Sequence, residues 1–501
     1  MFNTHNDNCF GLHGKPRSSF QDHQAGASFD VSSPEFVPSN FNGERRGVSE
    51  VLRHIVLVAL PWQQKGHQPI PLGHASILAR LNAEPSLEVQ HIVRPVNDEN
   101  FSAQSVALEI AGMIQGLRKQ AVNVAFGAYV WNDDAVRETV HHLRASGFLG
   151  RIILGGPQVT YADAGLEALY PGVDAFIRGA GEDALSALVC TEDPTAIRGV
   201  HFAGTLDRLE QAQSSLQRLP SPWLTGVINA YSSASVHWES QRGCQFHCSF
   251  CQHRQPDSRA PIVTVATQRI SREIDLLCDA KAKRISVLDP IFNSDEQHAA
   301  GILRQFIERG FGGELALQCR AELINLKKPV FLDAAERLNV TLEFGLQSVE
   351  KREYRGIGRR NSLPKIEEVL DEVRRRGIRH EVSLIYGLPD QTVDSFRSSV
   401  DWCLRRRIPV VRAFPLLLLR GTKLFHDRAK WQLALSQGLL PVVNSSSTFD
   451  ASDWREMDAI ANALAASEGD HPASVHEMMQ IQKCPPPARN ASQLRSLGRL
   501  Q

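Results

Sequence analysis

The chain lacks any long hydrophobic run. None of its apolar stretches approaches the roughly 20 residues that a helix needs to cross a bilayer. The first residues, Met-Phe-Asn-Thr-His-Asn-Asp, have neither the basic start nor the apolar centre of a signal peptide. The sequence therefore predicts a cytoplasmic protein without a membrane span.

An excess of charge of one sign is also missing. Lys plus Arg and Asp plus Glu number 55 each, so the formal net charge is zero. This balance offers no electrostatic reason to bind nucleic acid or an anionic membrane. We expect neither as a partner.

Cysteine is scarce outside one loop. Three of the nine cysteines lie together, and a framework of paired cysteines is absent from the rest of the sequence. A reducing compartment fits this usage. The six scattered cysteines are Cys9, Cys190, Cys278, Cys319, Cys403 and Cys484.

The other three cysteines, Cys244, Cys248 and Cys251, have the spacing C-x3-C-x2-C and follow a strand-like run. Thiolates bind iron–sulfur clusters and zinc, and short spacings let one loop enclose one site. A closed zinc site needs four ligands, and the only nearby candidates for a fourth are His247 and His253. An iron–sulfur cluster, a zinc site and chance clustering are the alternatives at this point.

The segment around these cysteines, Glu-Ser-Gln-Arg-Gly-Cys-x3-Cys-x-Phe-Cys, resembles the cluster loop of radical S-adenosylmethionine (SAM) enzymes. The resemblance implies that Cys244, Cys248 and Cys251 bind three irons of a 4Fe–4S cluster. The fourth iron would stay open for the amino and carboxylate groups of SAM. Phe250, the aromatic residue before the last cysteine, is also typical of that family. The likeness extends from about residue 51 to about residue 455.

Short apolar strands alternate with helices in the first half of the chain. This alternation predicts a doubly wound, Rossmann-like parallel sheet over residues 49–205. A disordered leader is expected at 1–48, and a polar, proline-marked linker at 206–230. The five predicted strands are 55–60, 88–93, 122–127, 151–157 and 174–179.

The alternation resumes after the cysteine loop and predicts an α/β protein throughout. Six strands suit a partial (βα)6 barrel, open on one side, over residues 231–430. A short helical C-terminal segment is expected at 431–482, with one helix at 452–466, followed by a tail at 483–501. The predicted barrel strands are 234–239, 284–290, 314–322, 340–348, 379–387 and 410–417.

Open parallel sheets bind ligands beyond the carboxyl ends of their strands. In the first sheet these ends carry glycine and aromatic side chains, for which ordinary strand-to-helix turns are the alternative explanation. The Tyr-x-Trp-Asn, Gly-Gly-Pro-x-x-Thr and Gly-x-Gly-Glu turns resemble the cobalamin-binding domain that precedes the barrel in one radical SAM subgroup. The resemblance implies cobalamin binding by Trp62, Tyr129, Trp131, Asn132, Gly155, Gly156, Thr160, Gly179 and Gly181.

A lower axial histidine is not expected on that cobalamin. The pattern Asp-x-His-x-x-Gly, which supplies it in the subgroup, survives only as a fragment at His23, with Gln21 in the place of the aspartate. We therefore predict base-off binding with no protein histidine on the cobalt. Some members of the subgroup keep the domain without using cobalamin, so a cobalamin-free reaction stays open as an alternative.

Polar residues at the strand ends of the second sheet lie where barrel chemistry belongs. Buried charges must be paired or bind a ligand, so mutual pairing of Arg320, Glu322 and Glu343 is the alternative to a role in function. Arg-x-Glu-Leu-Ile, Gly-Leu-Gln-Ser and Tyr-Gly-Leu-Pro resemble segments that face SAM in the family. The resemblance implies cofactor binding by Phe250, Asp289, Arg320, Glu322, Gln347 and Ser348, and catalytic positions at Glu343 and Tyr386.

The resemblance implies an enzyme that forms a 5′-deoxyadenosyl radical and uses cobalamin to methylate an unactivated carbon of a small-molecule or natural-product substrate. Its cofactors would be a 4Fe–4S cluster, SAM and cobalamin, with flavodoxin or ferredoxin as electron donor. One alternative is a cobalamin-independent radical dehydratase, epimerase or cyclase. Another, from a different class, is a non-catalytic metal-binding protein.

Overall fold

The computed structural model describes residues 53–64, 66–117, 122–191, 196–253 and 262–483. The predicted leader at 1–48 and the predicted tail beyond residue 483 lie outside the described residues, as does His23. Within the described ranges, no helix has both the length and the apolar character that crossing a bilayer requires.

The central strands of the first sheet are mostly buried, as expected where helices cover both faces, whereas the two edge strands are partly exposed. Its strands are Arg53–Ala59 (β1), Leu87–Val93 (β2), Val122–Gly127 (β3), Arg151–Gly155 (β4), Ala175–Ile177 (β5) and Val200–Phe202 (β6). Their order is β2-β1-β3-β4-β5-β6. The accompanying helices are Leu72–Asn82 (α1), Ala103–Met113 (α2), Asp133–Ala145 (α3), Pro157–Thr160 (α4), Leu166–Leu169 (α5) and Gly181–Cys190 (α6).

Strand β6 departs from the predicted all-parallel sheet, because it pairs antiparallel with β5 and makes the sheet mixed. Three residues are too short a run for hydrophobic periodicity to reveal. The predicted linker at 206–230 also contacts this sheet. Ala212 bridges to Gly179, so the linker covers the carboxyl edge of the sheet.

The second sheet has six parallel strands in the order β14-β13-β12-β11-β10-β7, and β7 and β14 do not pair with each other among the described residues. Two further strands, β8 and β9, form a small antiparallel ribbon. Strands β7 to β14 are Ser235–Trp238, Gln241–Arg242, Val263–Thr264, Arg284–Val287, Glu314–Cys319, Asn339–Gln347, Arg379–Tyr386 and Val410–Pro415. The open six-stranded arrangement agrees with the predicted partial barrel.

The barrel helices pack one apolar stripe each against the sheet. In α11, for example, Ile366, Val369, Leu370 and Val373 recur at helical spacing and are all buried. Helices α7 to α13 are Thr267–Asp279, Glu296–Glu308, Val330–Ala335, Lys351–Gly356, Leu363–Arg375, Val393–Arg405 and Lys423–His426.

The C-terminal segment packs on the last barrel strands. A small antiparallel pair, Ala434–Leu435 (β15) and Val443–Ser445 (β16), precedes Ala451–Ala466 (α14) and Val475–Lys483 (α15). Helix α14 begins at a capping box of Asp450 and Asp453, one residue from the predicted start. The α/β class is thereby confirmed, with a Rossmann-like sheet, a partial barrel and a helical end.

Candidate functional site

The loop that carries the three cysteines is fixed at its start by Asp289. This carboxylate, fully buried, accepts hydrogen bonds from the Ser240 amide at 2.8 Å, the Ser240 hydroxyl at 2.5 Å and the Gln241 amide at 3.1 Å. Burial raises the pKa of Asp289 to about 7, although these three donors oppose the shift. Asp289 therefore fixes the backbone at Ser240 and Gln241, which leads into the cysteine loop.

The cysteines themselves lie on a partly buried loop lined with cations. Burial, and next the thiol of Cys248, raise the pKa of Cys251 to about 12. The buried guanidinium of Arg359 reaches the Cys248 Sγ at 3.8 Å and bonds to the Gly345 carbonyl oxygen. Sequence reasoning missed Arg359, because no motif links it to a cysteine 111 residues away.

Arg320 and Glu322, at the end of strand β11, form an ion pair at 3.0 Å. The Arg320 guanidinium also stacks on Phe246, between the first two cysteines, at 3.9 Å from the ring centroid. Two of the residues implied for SAM are therefore paired with each other, and the pair touches the cysteine loop. Gln347, at the end of strand β12, has a φ of 69°, a conformation that is strained for residues other than glycine.

Other predicted barrel residues have side chains engaged elsewhere. The Ser348 hydroxyl accepts the Glu350 amide at 2.9 Å and so caps a turn. The Tyr386 hydroxyl donates to Asp458 of α14 at 2.6 Å, and its ring packs between Phe396 and Trp454. Phe250 is part of the barrel core. The structure therefore does not group these three side chains with Arg320.

Glu343 lies within a polar row across the barrel strands. Strand register aligns it with Gln318 on β11 and with Glu381 on β13. Glu381 in turn accepts a hydrogen bond from Arg412 at 2.9 Å. Glu343 is thus part of an internal network of charged and amide side chains.

A cavity of about 470 Å³ extends from the carboxyl edge of the first sheet to the cysteine loop. On the barrel side it is lined by Gly243 and His253, which flank the cysteines in sequence. The structure brings together all nine residues that the sequence analysis associated with cobalamin. They are Trp62, Tyr129, Trp131, Asn132, Gly155, Gly156, Thr160, Gly179 and Gly181.

Within this set, two residues shape the turns. Asn132 is almost fully buried, donates to the Leu60 and Gly127 carbonyl oxygens at 2.9 and 3.1 Å, and accepts the Tyr129 amide at 2.7 Å. The Thr160 hydroxyl accepts the Gly179 amide at 3.0 Å. Their side chains thus position the backbone that forms the cavity wall.

Two stacked rings and a close approach of two backbone segments form other parts of the cavity wall. The rings of Tyr129 and Trp131 stack at 4.7 Å on one wall. Gly156, with a φ of +94°, lies so close to the neighbouring loop that a Cβ atom would approach the Ala128 oxygen to 2.6 Å. Only glycine suits this position.

Histidines from several segments also line the cavity, namely His67, His74, His237 and His253. Burial, with a contribution from His91, lowers the pKa of His74 to about 3, so its imidazole is neutral at physiological pH. Its Nε2 atom is buried and has no hydrogen-bond partner among the described residues. A buried nitrogen atom of this kind normally forms a hydrogen bond to a ligand or a water molecule.

A buried ion-pair network joins the two sheets beside the cysteines. Arg242, two residues before Cys244, bonds to Glu182 at 2.7 Å and to Glu239 at 2.6 Å. Glu182 begins helix α6 of the first sheet and also accepts the Ser76 hydroxyl at 3.1 Å. The Gly-x-Gly-Glu turn is thus joined to the cysteine loop by the ion pair of its glutamate, Glu182, with Arg242. The sequence predicted a role for the glycines of this turn but not for Glu182.

Replacing Arg242 by methionine is expected to destabilise the protein by up to about 3–5 kcal/mol, the cost of breaking a fully buried pair, because Glu182 is buried and Glu239 largely buried and both lose their cation. Urea denaturation at neutral pH measures this. Arg284→Met is the matched control, since its ion pair with Glu314 is partly exposed and is worth about 1 kcal/mol or less. Equal effects of the two changes would contradict a buried network.

The same variant has a predictable pH dependence. Burial opposes ionisation of Glu182, but Arg242 outweighs it and lowers the pKa to about 2, from an ordinary value of 4.5. In the wild type this contributes stability that is present above pH 4.5 and lost as the pH falls towards 2. Without Arg242 burial raises the pKa, so the deficit of Arg242→Met should shrink between pH 7 and pH 5.

A second link between the sheets runs through Arg420, after strand β14. Its guanidinium donates to the Tyr170 hydroxyl at 3.0 Å and to the Gln158 carbonyl oxygen at 3.1 Å. Its own carbonyl oxygen accepts from Gln252, next to Cys251, at 2.9 Å. The cysteine loop is thereby connected to the first sheet on both sides of the cavity.

The side chains present fit the implied cofactors. Three thiols on one loop, next to the buried cations Arg320 and Arg359, suit an anionic iron–sulfur cluster. Among the described residues, no three Cys, His, Asp or Glu side chains are grouped as a site for a single metal ion. The cavity, with its stacked rings and unsatisfied His74 nitrogen, suits a corrin with polar substituents.

Comparison with known proteins shows that part of the barrel is similar to a known family. Residues 238–403 match the Radical SAM superfamily. The chain is 24% identical over 302 residues to the cobalamin-dependent radical SAM methyltransferase TokK of Streptomyces tokunonensis. That alignment covers 55% of this chain and 44% of TokK, so the chain matches less than half the length of this relative.

Two solved structures share the arrangement of both sheets. The radical SAM methyltransferase TsrM of Kitasatospora setae, with cobalamin and a [4Fe-4S] cluster bound, superposes with a TM-score of 0.59 at 16% identity, over 81% of each chain. The cobalamin-dependent SAM radical enzyme OxsB, with aqua-cobalamin and SAM bound, gives 0.63 at 13% identity, over 83% of this chain and 67% of that one. At these identities the likeness is one of fold.

Proposed function

We propose that this chain, a radical SAM enzyme with a cobalamin-binding-like domain before its barrel, methylates an unactivated carbon of a small-molecule substrate. The observation that supports this is one cavity that begins at the carboxyl edge of the first sheet and ends beside the cysteine loop. A cofactor seated on the first sheet and a cluster on the loop would then face a common space. TokK and TsrM are described as radical SAM methyltransferases, and TokK and OxsB as cobalamin-dependent, which supports the proposal.

In this proposal Cys244, Cys248 and Cys251 hold a 4Fe–4S cluster, and the loops around Trp62, Tyr129 and Gly156 enclose cobalamin. When bound, the cluster and SAM supply a 5′-deoxyadenosyl radical, and cobalamin supplies the methyl group. The protein's residues fix the groups relative to one another and exclude water. Arg242 and Arg420 do so by holding the two sheets around the cavity.

Cofactor analysis of anaerobically purified protein tests the proposal. We expect about four irons and four sulfides per chain, as three-cysteine clusters hold, and one tightly held cobalt after incubation with hydroxocobalamin. Reduced enzyme with SAM should form both 5′-deoxyadenosine, from reductive cleavage, and S-adenosylhomocysteine, from methyl donation. Iron without cobalt, and 5′-deoxyadenosine alone, would favour a cobalamin-independent dehydratase, epimerase or cyclase. Bound metal without any cleavage of SAM would favour the interpretation as a non-catalytic metal-binding protein.

Replacement of Gln347 separates SAM binding from folding. Gln347→Gly removes an amide implied to face SAM, yet glycine accepts a φ of 69° without strain. We expect SAM to bind about tenfold more weakly or worse, the order of one or two lost hydrogen bonds, with unchanged iron content and equal or greater thermal stability. Equilibrium dialysis with SAM and a melting curve provide the two readouts.

Glu322→Ala is the companion change. It removes the implied SAM contact and also releases Arg320, which stacks on Phe246 of the cysteine loop. SAM affinity should therefore fall as in the Gln347 variant, while the iron content stays the same. Normal SAM binding in both variants would contradict their assigned role.

A further inference from the structure

A second cavity, of about 600 Å³, opens at the surface beside the cysteine loop. Five cationic side chains line it, with two carboxylates and the indole of Trp431. We call it the basic surface. Its cations are Lys351, Arg352, Arg355, Lys423 and Lys430.

The basic surface carries a net positive charge in a chain whose total charge is zero. Arg352 pairs with Asp390 at 2.8 Å and Lys423 with Asp427. Lys351, Arg355 and Lys430 are exposed and form no ion pair with any residue that the structure describes. Three cations therefore lie on one small area without a carboxylate partner in the described part of the chain, and the Lys430 ammonium lies over the Trp431 ring at 4.5 Å from its centroid.

Both chain segments that form the basic surface are bonded directly to the cysteine loop. Ser249, between the last two cysteines, donates its amide hydrogen to the Ile357 carbonyl oxygen at 2.8 Å, immediately after helix α10. Its own carbonyl oxygen accepts the amide of Leu424, next to Lys423, at 2.8 Å. The basic surface thus lies on two chain segments that are hydrogen-bonded to the cysteine loop.

The segment after helix α10 also reaches the thiols from inside. Arg359 lies 3.8 Å from the Cys248 Sγ, four residues from the exposed Arg355. The cavity between the two sheets and the basic surface share no lining residue. A partner on the basic surface would therefore approach the cysteines without blocking the first cavity.

We propose that the basic surface docks an acidic one-electron donor protein that reduces the cluster. The inference rests on the proposed function, which assigns a 4Fe–4S cluster to this loop. In the step, the donor's reduced cofactor loses one electron and the cluster gains one, and no atom is transferred. Electron-transfer encounters bury little area and depend on charge complementarity, which a small, open, cationic surface supplies.

Charge reversal tests the proposal on the reconstituted full-length enzyme. The test variant combines Lys351→Glu, Arg355→Glu and Lys430→Glu, all at exposed positions. The matched control combines Lys283→Glu, Arg304→Glu and Lys327→Glu, which are exposed, change the charge by the same amount and lie outside the basic surface. Anaerobic bleaching of the cluster absorbance is followed with two reductants, reduced flavodoxin and dithionite.

With flavodoxin at low ionic strength, the test variant should be reduced with a second-order rate constant about tenfold or more below that of the wild type, whereas the control should stay within about twofold. The difference should diminish as salt is added. Reduction by dithionite should be equal in all three proteins, which shows that the cluster is intact.

Equal flavodoxin rates in the test and control variants would overturn the proposal. Saturable binding of inorganic phosphate that is lost only in the test variant, with the flavodoxin rate unchanged, would also overturn it and assign the surface to an anionic small molecule. Failure of the cluster assignment, the part of the proposed function on which this inference rests, is distinguishable, because wild-type protein would then show no cluster absorbance for either reductant to bleach.

Discussion

Protein in which Cys244, Cys248 and Cys251 are all replaced by alanine is expected to contain no iron–sulfur cluster. It should cleave SAM at a rate lower by on the order of a thousandfold or more, as when a group essential to catalysis is removed. Thiolates are the ligands that hold iron in such clusters, and the sequence has no other cysteine between Cys190 and Cys278. Iron and sulfide assays, with chromatography of 5′-deoxyadenosine, measure both losses.

The fold of this variant should survive, because contacts that do not involve metal hold the loop. Asp289 fixes its start, and two backbone hydrogen bonds hold Ser249 at its far end. We therefore expect an unchanged circular dichroism spectrum and retention of cobalt, whose proposed binding residues lie mainly on the first sheet. Full iron content in the triple variant would show that the ligands lie elsewhere.

The control replaces cysteines that the loop does not include. Cys190 and Cys278 are half-buried, on helices α6 and α7. The double change Cys190→Ala and Cys278→Ala should leave the iron content and SAM cleavage at wild-type levels. A loss of iron in this control would point to a general effect of removing thiols on cluster assembly.

A leucine at Gly155 is expected to weaken the binding of cobalamin by about tenfold to a hundredfold. Gly155 lies on strand β4, on the same face as Ile153, and both line the first cavity. A Cβ atom there would make only ordinary contacts, the nearest being the Ile177 oxygen at 3.6 Å. The added side chain should therefore fill cavity space without breaking the turn. Overpacking of about 1–3 kcal/mol corresponds to binding that is roughly tenfold to a hundredfold weaker.

A spectroscopic titration with hydroxocobalamin, followed by removal of free cofactor, measures this change. Gly112→Leu is the control, because Gly112 is exposed on helix α2 and has no atom within 4 Å of a built Cβ. Iron content should be the same in both variants. Full cobalt retention by Gly155→Leu would contradict the assigned site, and a wild-type protein without cobalt would favour the cobalamin-independent reaction.

Gly156 is the less informative position for that experiment. A Cβ atom would collide with the Ala128 backbone, at 2.6 Å from its oxygen, and the φ of +94° disfavours any side chain. Gly156→Trp would disrupt the turn whether or not a cofactor binds. Sequence alone did not distinguish the two adjacent glycines, because the difference lies in backbone conformation and in a loop that is distant in sequence.

The direction of each side chain was also beyond the sequence. Tyr386 ends a barrel strand, as predicted, but its ring faces helices α12 and α14 and its hydroxyl bonds to Asp458. Ser348 and Asp289 likewise lie at the predicted strand ends, and their polar atoms satisfy local backbone groups. A motif places a residue along the chain, whereas its partners depend on the packing of neighbouring elements.

The sequence by itself determined the α/β alternation, the two sheets and the cysteine loop, because these follow from local hydrophobic periodicity and from ligand spacing within eight residues. Only the tertiary structure decided that the turns of the first sheet share one cavity with the cysteine loop. It alone revealed the Arg242–Glu182 pair, the Arg359 contact with Cys248 and the basic surface. Each joins residues that are far apart in the chain, and short-range patterns carry no information about which distant charges meet once the chain is packed.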